Sequence, residues 1–136
     1  MIKMKYINNG NGIEMVGTDV VTGEEIYNAF NEYFSGDLLL ETKYLIANFL
    51  DVEQFNVSNE DISRLTVQEN QASKTGLNRL IALLGKQDYI FGFLRMWEGK
   101  TFQSGFEKMV FRDRERALTW INQKITSCKE PAVCQP

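Results

Sequence analysis

YLIANFLDVEQFNVSNEDISRL, residues 44–65, is the stretch that decides how this chain folds. Its first seven residues, Tyr44–Leu50, are almost continuously apolar. Such a run suits a central strand covered on both faces rather than a half-exposed one, which would alternate. A short polar passage follows, and then Ser58 stands three residues before Asp61. That spacing predicts a helix start in which the serine oxygen accepts from a backbone amide and the carboxylate reaches back. The helix runs over 59–74 with Ile62, Leu65 and Ala72 inward, and Gly76 stops it. A buried strand leading into a capped helix is the repeating unit of an α/β domain.

The same unit recurs on both sides. Downstream, Leu80-Ile81-Ala82-Leu83-Leu84 reads as a second buried strand closed by Gly85. A helix over 88–98 follows, with Asp88 as its cap. Residues 106–111 form a last strand, and Asp113 caps a final helix. The inner face of that helix is Ala117, Leu118, Ile121 and Ile125, with Trp120 beside it. Upstream, strands over 3–8 and 13–17 flank Asn8-Asn9-Gly10-Asn11-Gly12, a turn cluster because Asn and Gly tolerate positive φ. Thr22-Gly23-Glu24-Glu25 forms a second capping box. Behind it Ile26, Ala29, Phe30, Tyr33 and Phe34 share one helical face, which ends at Ser35-Gly36-Asp37.

These elements predict one α/β domain over residues 1–126. It has a five-stranded mixed sheet, mostly parallel, with four helices in the order ββαβαβαβα. Only the first strand pairs antiparallel. Residues 127–136 are expected to form a flexible C-terminal tail carrying both cysteines, Cys128 and Cys134. Free thiols and a local disulfide both remain open for that pair.

Composition limits function mainly by what is missing. Histidine is absent, which removes Ser-His-Asp and Cys-His catalysis and the common zinc sites. A net charge of −3 speaks against nucleic acid as a partner, because phosphate binding needs a basic face. The longest apolar run is far too short to span a bilayer. The first ten residues carry no apolar segment followed by a cleavage site, so a cytoplasmic location is expected. NNGNG lacks the spacing of a phosphate loop and joins two strands. No cofactor, no metal and no enzymatic activity are expected.

The buried strand leading to Ser58, the Arg95-Met96-Trp97-Glu98 segment, and Phe111-Arg112-Asp113-Arg114-Glu115 running on to Trp120-Ile121 resemble the SpoIIAA-like proteins of the STAS superfamily. The likeness is to a small bacterial SpoIIAA-like group without an assigned activity, and it spans roughly residues 2–125. The wider core also resembles that of Sec14-like lipid-binding domains. In the anti-sigma-factor antagonists of the superfamily, the corresponding loop carries an Asp-Ser pair near a glycine, and the serine is phosphorylated. This chain reads Asn56-Val57-Ser58-Asn59-Glu60: the serine is kept, the aspartate and the glycine are not.

Two candidate sites follow. Ser58 is a helix cap or a switch; a phosphate there would meet exposed amides but also Glu53, Glu60 and Asp61. The helix over 88–98 is apolar nearly all round. Tyr89, Ile90, Phe93, Leu94, Met96 and Trp97, with Phe91, exceed what one buried stripe needs, so part of this helix faces something other than the sheet. Three readings stand: the helix is simply well buried under its neighbouring helix, it forms a surface for a protein partner or a homodimer, or it is the wall of a pocket for a small apolar, lipid-like ligand. Arg112, Arg114 and Arg116 are interleaved with Asp113 and Glu115 and read as a solvated helix end with local ion pairs. The expected function is a non-catalytic regulatory or protein-binding module. The alternative is a carrier or sensor of an apolar ligand.

Overall fold

The computed structural model describes residues 1–101 and 104–127. The expected tail with Cys128 and Cys134 therefore lies, from residue 128 onward, outside the described residues. The elements are β1 (Ile2–Ile7), β2 (Gly12–Thr22), α1 (Gly23–Ser35), α2 (Leu38–Glu41), β3 (Tyr44–Asn56), α3 (Asn59–Ser73), β4 (Leu80–Leu84), α4 (Asp88–Lys100), β5 (Glu107–Phe111) and α5 (Arg114–Ser127). The strands lie in sequence order in one five-stranded sheet. β1 pairs antiparallel with β2, and the other three pairings are parallel. The expected architecture is thus present, with one helical turn more than the sequence pattern predicts.

Sequential strand order has a direct consequence. Right-handed crossovers that always step the same way leave their helices on the same face of the sheet. Accordingly α1, α3 and α4 share one core with Leu45, Ala47, Phe49, Ile81 and Leu83. The alternate strand residues Tyr44, Ile46, Ala82 and Leu84 pack on the other face against Ala117, Trp120 and Ile121 of α5. β3 therefore feeds both cores, which is why Tyr44–Leu50 reads as a nearly unbroken apolar run.

β2 and β3 run further than their hydrophobic patterns suggest. Past Asn48, β3 pairs among the described residues with β2 alone, through to Thr22↔Asn56, because β4 ends at Leu84. Two register shifts, between Val16 and Thr18 and between Asp19 and Val20, break the alternation. As a result the buried positions Val52 and Phe55 stand three residues apart. Gly17, expected to end its strand, lies inside it. A Cβ there would come within 2.9 Å of the Phe49 ring, so the close approach demands glycine. The turn after β1 is as expected, with Asn8, Asn9 and Gly10 all at positive φ.

Two local expectations are corrected. Asp88 does not cap α4: the cap position is Gln87, with no side-chain cap bond, and Asp88 sits in the first turn. Its carboxylate is drawn instead to Arg112 at 2.8 Å. Residues 38–41 add the single turn α2, closed by the Thr42 hydroxyl donating to the Leu38 carbonyl at 2.7 Å.

One charged pair lies inside the three-helix core. Lys108 of β5 donates to Glu69 of α3, with side-chain exposures of 2% and 1%. Ser104 donates to the same Glu69 oxygen at 2.6 Å. The other Glu69 oxygen, Oε1, and the Trp97 indole nitrogen are buried and have no hydrogen-bond partner among the described residues. Burial pulls the Lys108 ammonium below its ordinary pKa, and the Glu69 carboxylate opposes that shift. Such a pair contributes little net stability but is costly to break from one side. Lys108→Met is expected to lower unfolding free energy by roughly 3–5 kcal/mol, while Lys108→Met combined with Glu69→Leu recovers most of the loss. Urea denaturation of the three proteins checks this.

Candidate functional site

The carboxyl ends of β2 and β3 finish side by side, so α1 and α3 also begin side by side. Each start carries its expected box. Thr22 Oγ1 accepts from the Glu25 amide at 3.2 Å, and Glu25 accepts from the Thr22 amide at 3.1 Å. Ser58 Oγ accepts from the Asp61 amide at 3.1 Å, and Asp61 accepts from the Ser58 amide at 2.9 Å. The two starts interlock, because a Cβ on Gly23 would lie 2.2 Å from the Asp61 carboxyl carbon. Arg64 of α3 bridges to Glu24 of α1 at 2.8 Å and lies over the Tyr27 ring. Ser58 is thus an exposed cap whose oxygen is engaged by the helix it starts. At each start the box holds two backbone amides, one on the hydroxyl and one on the carboxylate, and that carboxylate opposes a further anion.

α4 sorts its apolar residues into two sets. Ile90, Leu94 and Trp97 are buried in the core. Trp97 meets Phe30 of α1 edge-on at 5.1 Å between ring centres, and Ile90 and Leu94 close on Gly85. These three do not reach the outer surface of the helix. Tyr89 is 52% exposed, and Phe93 and Met96 are half-buried. They form one flank of the outer face, where Phe93 also touches Phe55 of β3 edge-on at 5.8 Å. Gly92 lies on the outward side, and a Cβ there would meet nothing within 4 Å.

The start of α4 also covers a raw sheet edge. Beyond Asn48 the α4 side of β3 has no strand neighbour among the described residues. Gln87 donates to the Val52 carbonyl at 3.2 Å, and the Phe55 amide donates to the Tyr89 phenol oxygen at 3.2 Å. Two side chains stand where a strand's backbone would pair, which blunts the edge. Tyr89 is therefore anchored at its hydroxyl while its ring stays open to solvent.

The three arginines near the last helix separate. Arg112 lies over the Phe91 ring and pairs with Asp88. Arg116 pairs with Asp113 at 3.5 Å. Arg114 reaches across the second core face to Glu14 of β2, with contacts of 3.1 and 2.7 Å to its two oxygens. Asn48 of β3 donates to the same carboxylate at 3.0 Å.

Neither the Glu69–Lys108–Ser104 group nor the Glu14–Asn48–Arg114 group was visible in the sequence. Their members lie up to 100 residues apart, and no local motif joins them. Only a buried-strand pattern interrupted by Glu14, and a helix with Glu69 on its inner face, hinted at them. In the first group both donors converge on one carboxylate oxygen, which ties β5 to α3. In the second a planar guanidinium clamps α5 to the sheet. Among the described residues no group of three or more Asp, Glu, His or Cys could hold a metal ion. No helix among them is long and apolar enough to cross a membrane.

No protein-family model and no curated protein matches the chain. Among solved structures it is similar to an uncharacterized protein of the DUF3478 family with a SpoIIAA-like fold, from Shewanella loihica PV-4. The two share 14% identity over 88% of this chain and 91% of the other, with a TM-score of 0.49.

Two predictions follow from this geometry. Ser58→Ala is expected to lower stability by about 1 kcal/mol, and Ser58→Asp to leave it nearly unchanged, since aspartate caps as well as serine. Thermal or urea unfolding reads both. For Glu14, burial pushes the carboxyl up, but the Arg114 and Asn48 hydrogen bonds and the Arg114 and Lys5 charges bring it below its ordinary 4.5. A folded pKa below the unfolded one means stabilisation that is complete above the ordinary value and is lost as pH falls through the folded one. Glu14→Gln should therefore be less stable near neutrality and should flatten the acid limb of a stability–pH curve.

Proposed function

We propose that this chain is a non-catalytic protein-binding module, of the regulatory kind that its resemblance to STAS proteins implies, and that it docks its partner on the outer face of α4. The observation that carries this reading is the Tyr89–Phe93–Met96 flank beside the uncovered Gly92. An apolar flank next to a position without a side chain lets another backbone approach closely while aromatic and thioether groups are buried, the chemistry of an interface core. The covered β3 edge supports the reading, because Gln87 and Tyr89 hold the start of α4 in place without using the ring face of Tyr89. The inner residues Ile90, Leu94 and Trp97 hold the helix on the sheet and serve as scaffold.

The test is a photo-crosslinking side chain placed at position 96 in one protein and at exposed position 122 on α5 in another, each expressed in the cell that makes the chain. A protein adduct is expected from position 96 alone. It should vanish on Gly92→Arg, a change that meets open space and leaves the melting temperature within a few degrees of wild type. Equal labelling from both positions, or none from 96, would remove the docking face.

A further inference from the structure

We infer that the partner on this face is a second copy of the chain, with two α4 helices packed antiparallel about a two-fold axis at Gly92; this rests on the docking face proposed above. The outer face of α4 is self-complementary. At about 1.5 Å rise per residue, Asp88 lies about 6 Å before Gly92 along the helix and Arg95 about 4.5 Å after it. Tyr89 lies about 4.5 Å before Gly92 and Met96 about 6 Å after it. The helical period puts Asp88 and Arg95 on one side of the outward line, and Tyr89 and Met96 on the other.

In a two-fold antiparallel pair the same flank of each helix meets its copy, with the direction reversed. Asp88 then faces Arg95 of the second copy, twice, and Tyr89 faces its Met96, twice. Gly92 meets Gly92 at the axis, where no side chain holds the helices apart. A parallel two-fold pair would bring opposite flanks together and set Asp88 and Arg95 against Tyr89 and Met96 of the second copy, so only the antiparallel pair matches charge with charge.

Both charged groups are placed for this. The Asp88 side chain is 94% exposed, and its bond to Arg112 uses only Oδ1. The Arg95 side chain is 62% exposed and leans on Glu98 at 3.2 Å through Nε, which leaves the outer nitrogens of its fork. Tyr89 offers its ring and Met96 its thioether, a favourable pairing of sulfur with an aromatic edge. Two thirteen-residue helices bury less than the roughly 1,200 Å² of a standard interface, so the dimer belongs to the transient, concentration-dependent class.

Sedimentation equilibrium of the full chain, over about 1 μM to about 1 mM, tests this. A monomer–dimer equilibrium is expected. Asp88→Lys and Arg95→Glu should each weaken it about tenfold, since each sets like charges opposite each other at two symmetric places. A chain carrying both changes should return to within about threefold of wild type. Melting curves confirm that every variant is folded, and Arg95→Glu carries the test by itself if the change at Asp88 disturbs the helix start. A strictly monomeric chain, a dimer indifferent to the single reversals, or a double variant that does not recover would overturn the self-pairing. If the chain stays monomeric while position 96 still crosslinks a different protein, self-pairing fails and the docking face stands. Loss of both removes the two together.

Discussion

β3 is buried on both of its faces, and most of the remaining structure follows from that burial. Leu45, Ala47 and Phe49 enter one core while Tyr44 and Ile46 enter the other. Each fully buried leucine, isoleucine or phenylalanine among them contributes on the order of 1.5–3 kcal/mol. Such a strand is stable only if both faces are covered, and the chain covers them unequally. Three crossover helices fall on one side because every parallel connection steps in the same direction across the sheet. α5, free of the crossover rule, returns to the other side and is the one described helix that covers it.

That imbalance explains where the buried charges are. On the α5 side a single helix cannot seal five strands, and Glu14 of β2 points into the shortfall. Arg114 and Asn48 close over it, so a carboxylate held by hydrogen bonds replaces an apolar contact. On the crowded side, Lys108 of β5 points into the helix layer and finds Glu69 of α3. Each group joins elements that are distant in sequence, and each is sensitive to losing one partner because a lone buried charge has no solvent to fall back on.

The candidate surface has its origin in unequal strand lengths. β3 outlasts β4, so its far half would expose a row of unpaired backbone groups. α4 begins beside that edge, and its Gln87 and Tyr89 side chains occupy it. This sets how the helix is rotated. Ile90, Leu94 and Trp97 turn inward, and Tyr89, Phe93 and Met96 are carried toward the surface with Gly92 between the flanks. A helix apolar on nearly all sides is thereby divided between holding the domain together and offering a face to another molecule.

The sequence by itself determined the element types and their order, because those depend on nearest neighbours along the chain. The capping boxes at Thr22 and Ser58, the Asn-Gly turn and the apolar runs at 44–50 and 80–84 all lie within a few residues of what they specify. The same local logic misplaced Asp88, which has the chemistry of a cap but lies within reach of Arg112, a partner from a distant strand end. It stopped β2 and β3 too early, because bulges shift the alternation on which strand length is judged. Tertiary structure alone decided which apolar residues of α4 face outward, which side each helix covers, and that Glu14 meets Arg114 and Glu69 meets Lys108. Those outcomes depend on strand order, crossover hand and register, which bring together groups that no sequence spacing connects.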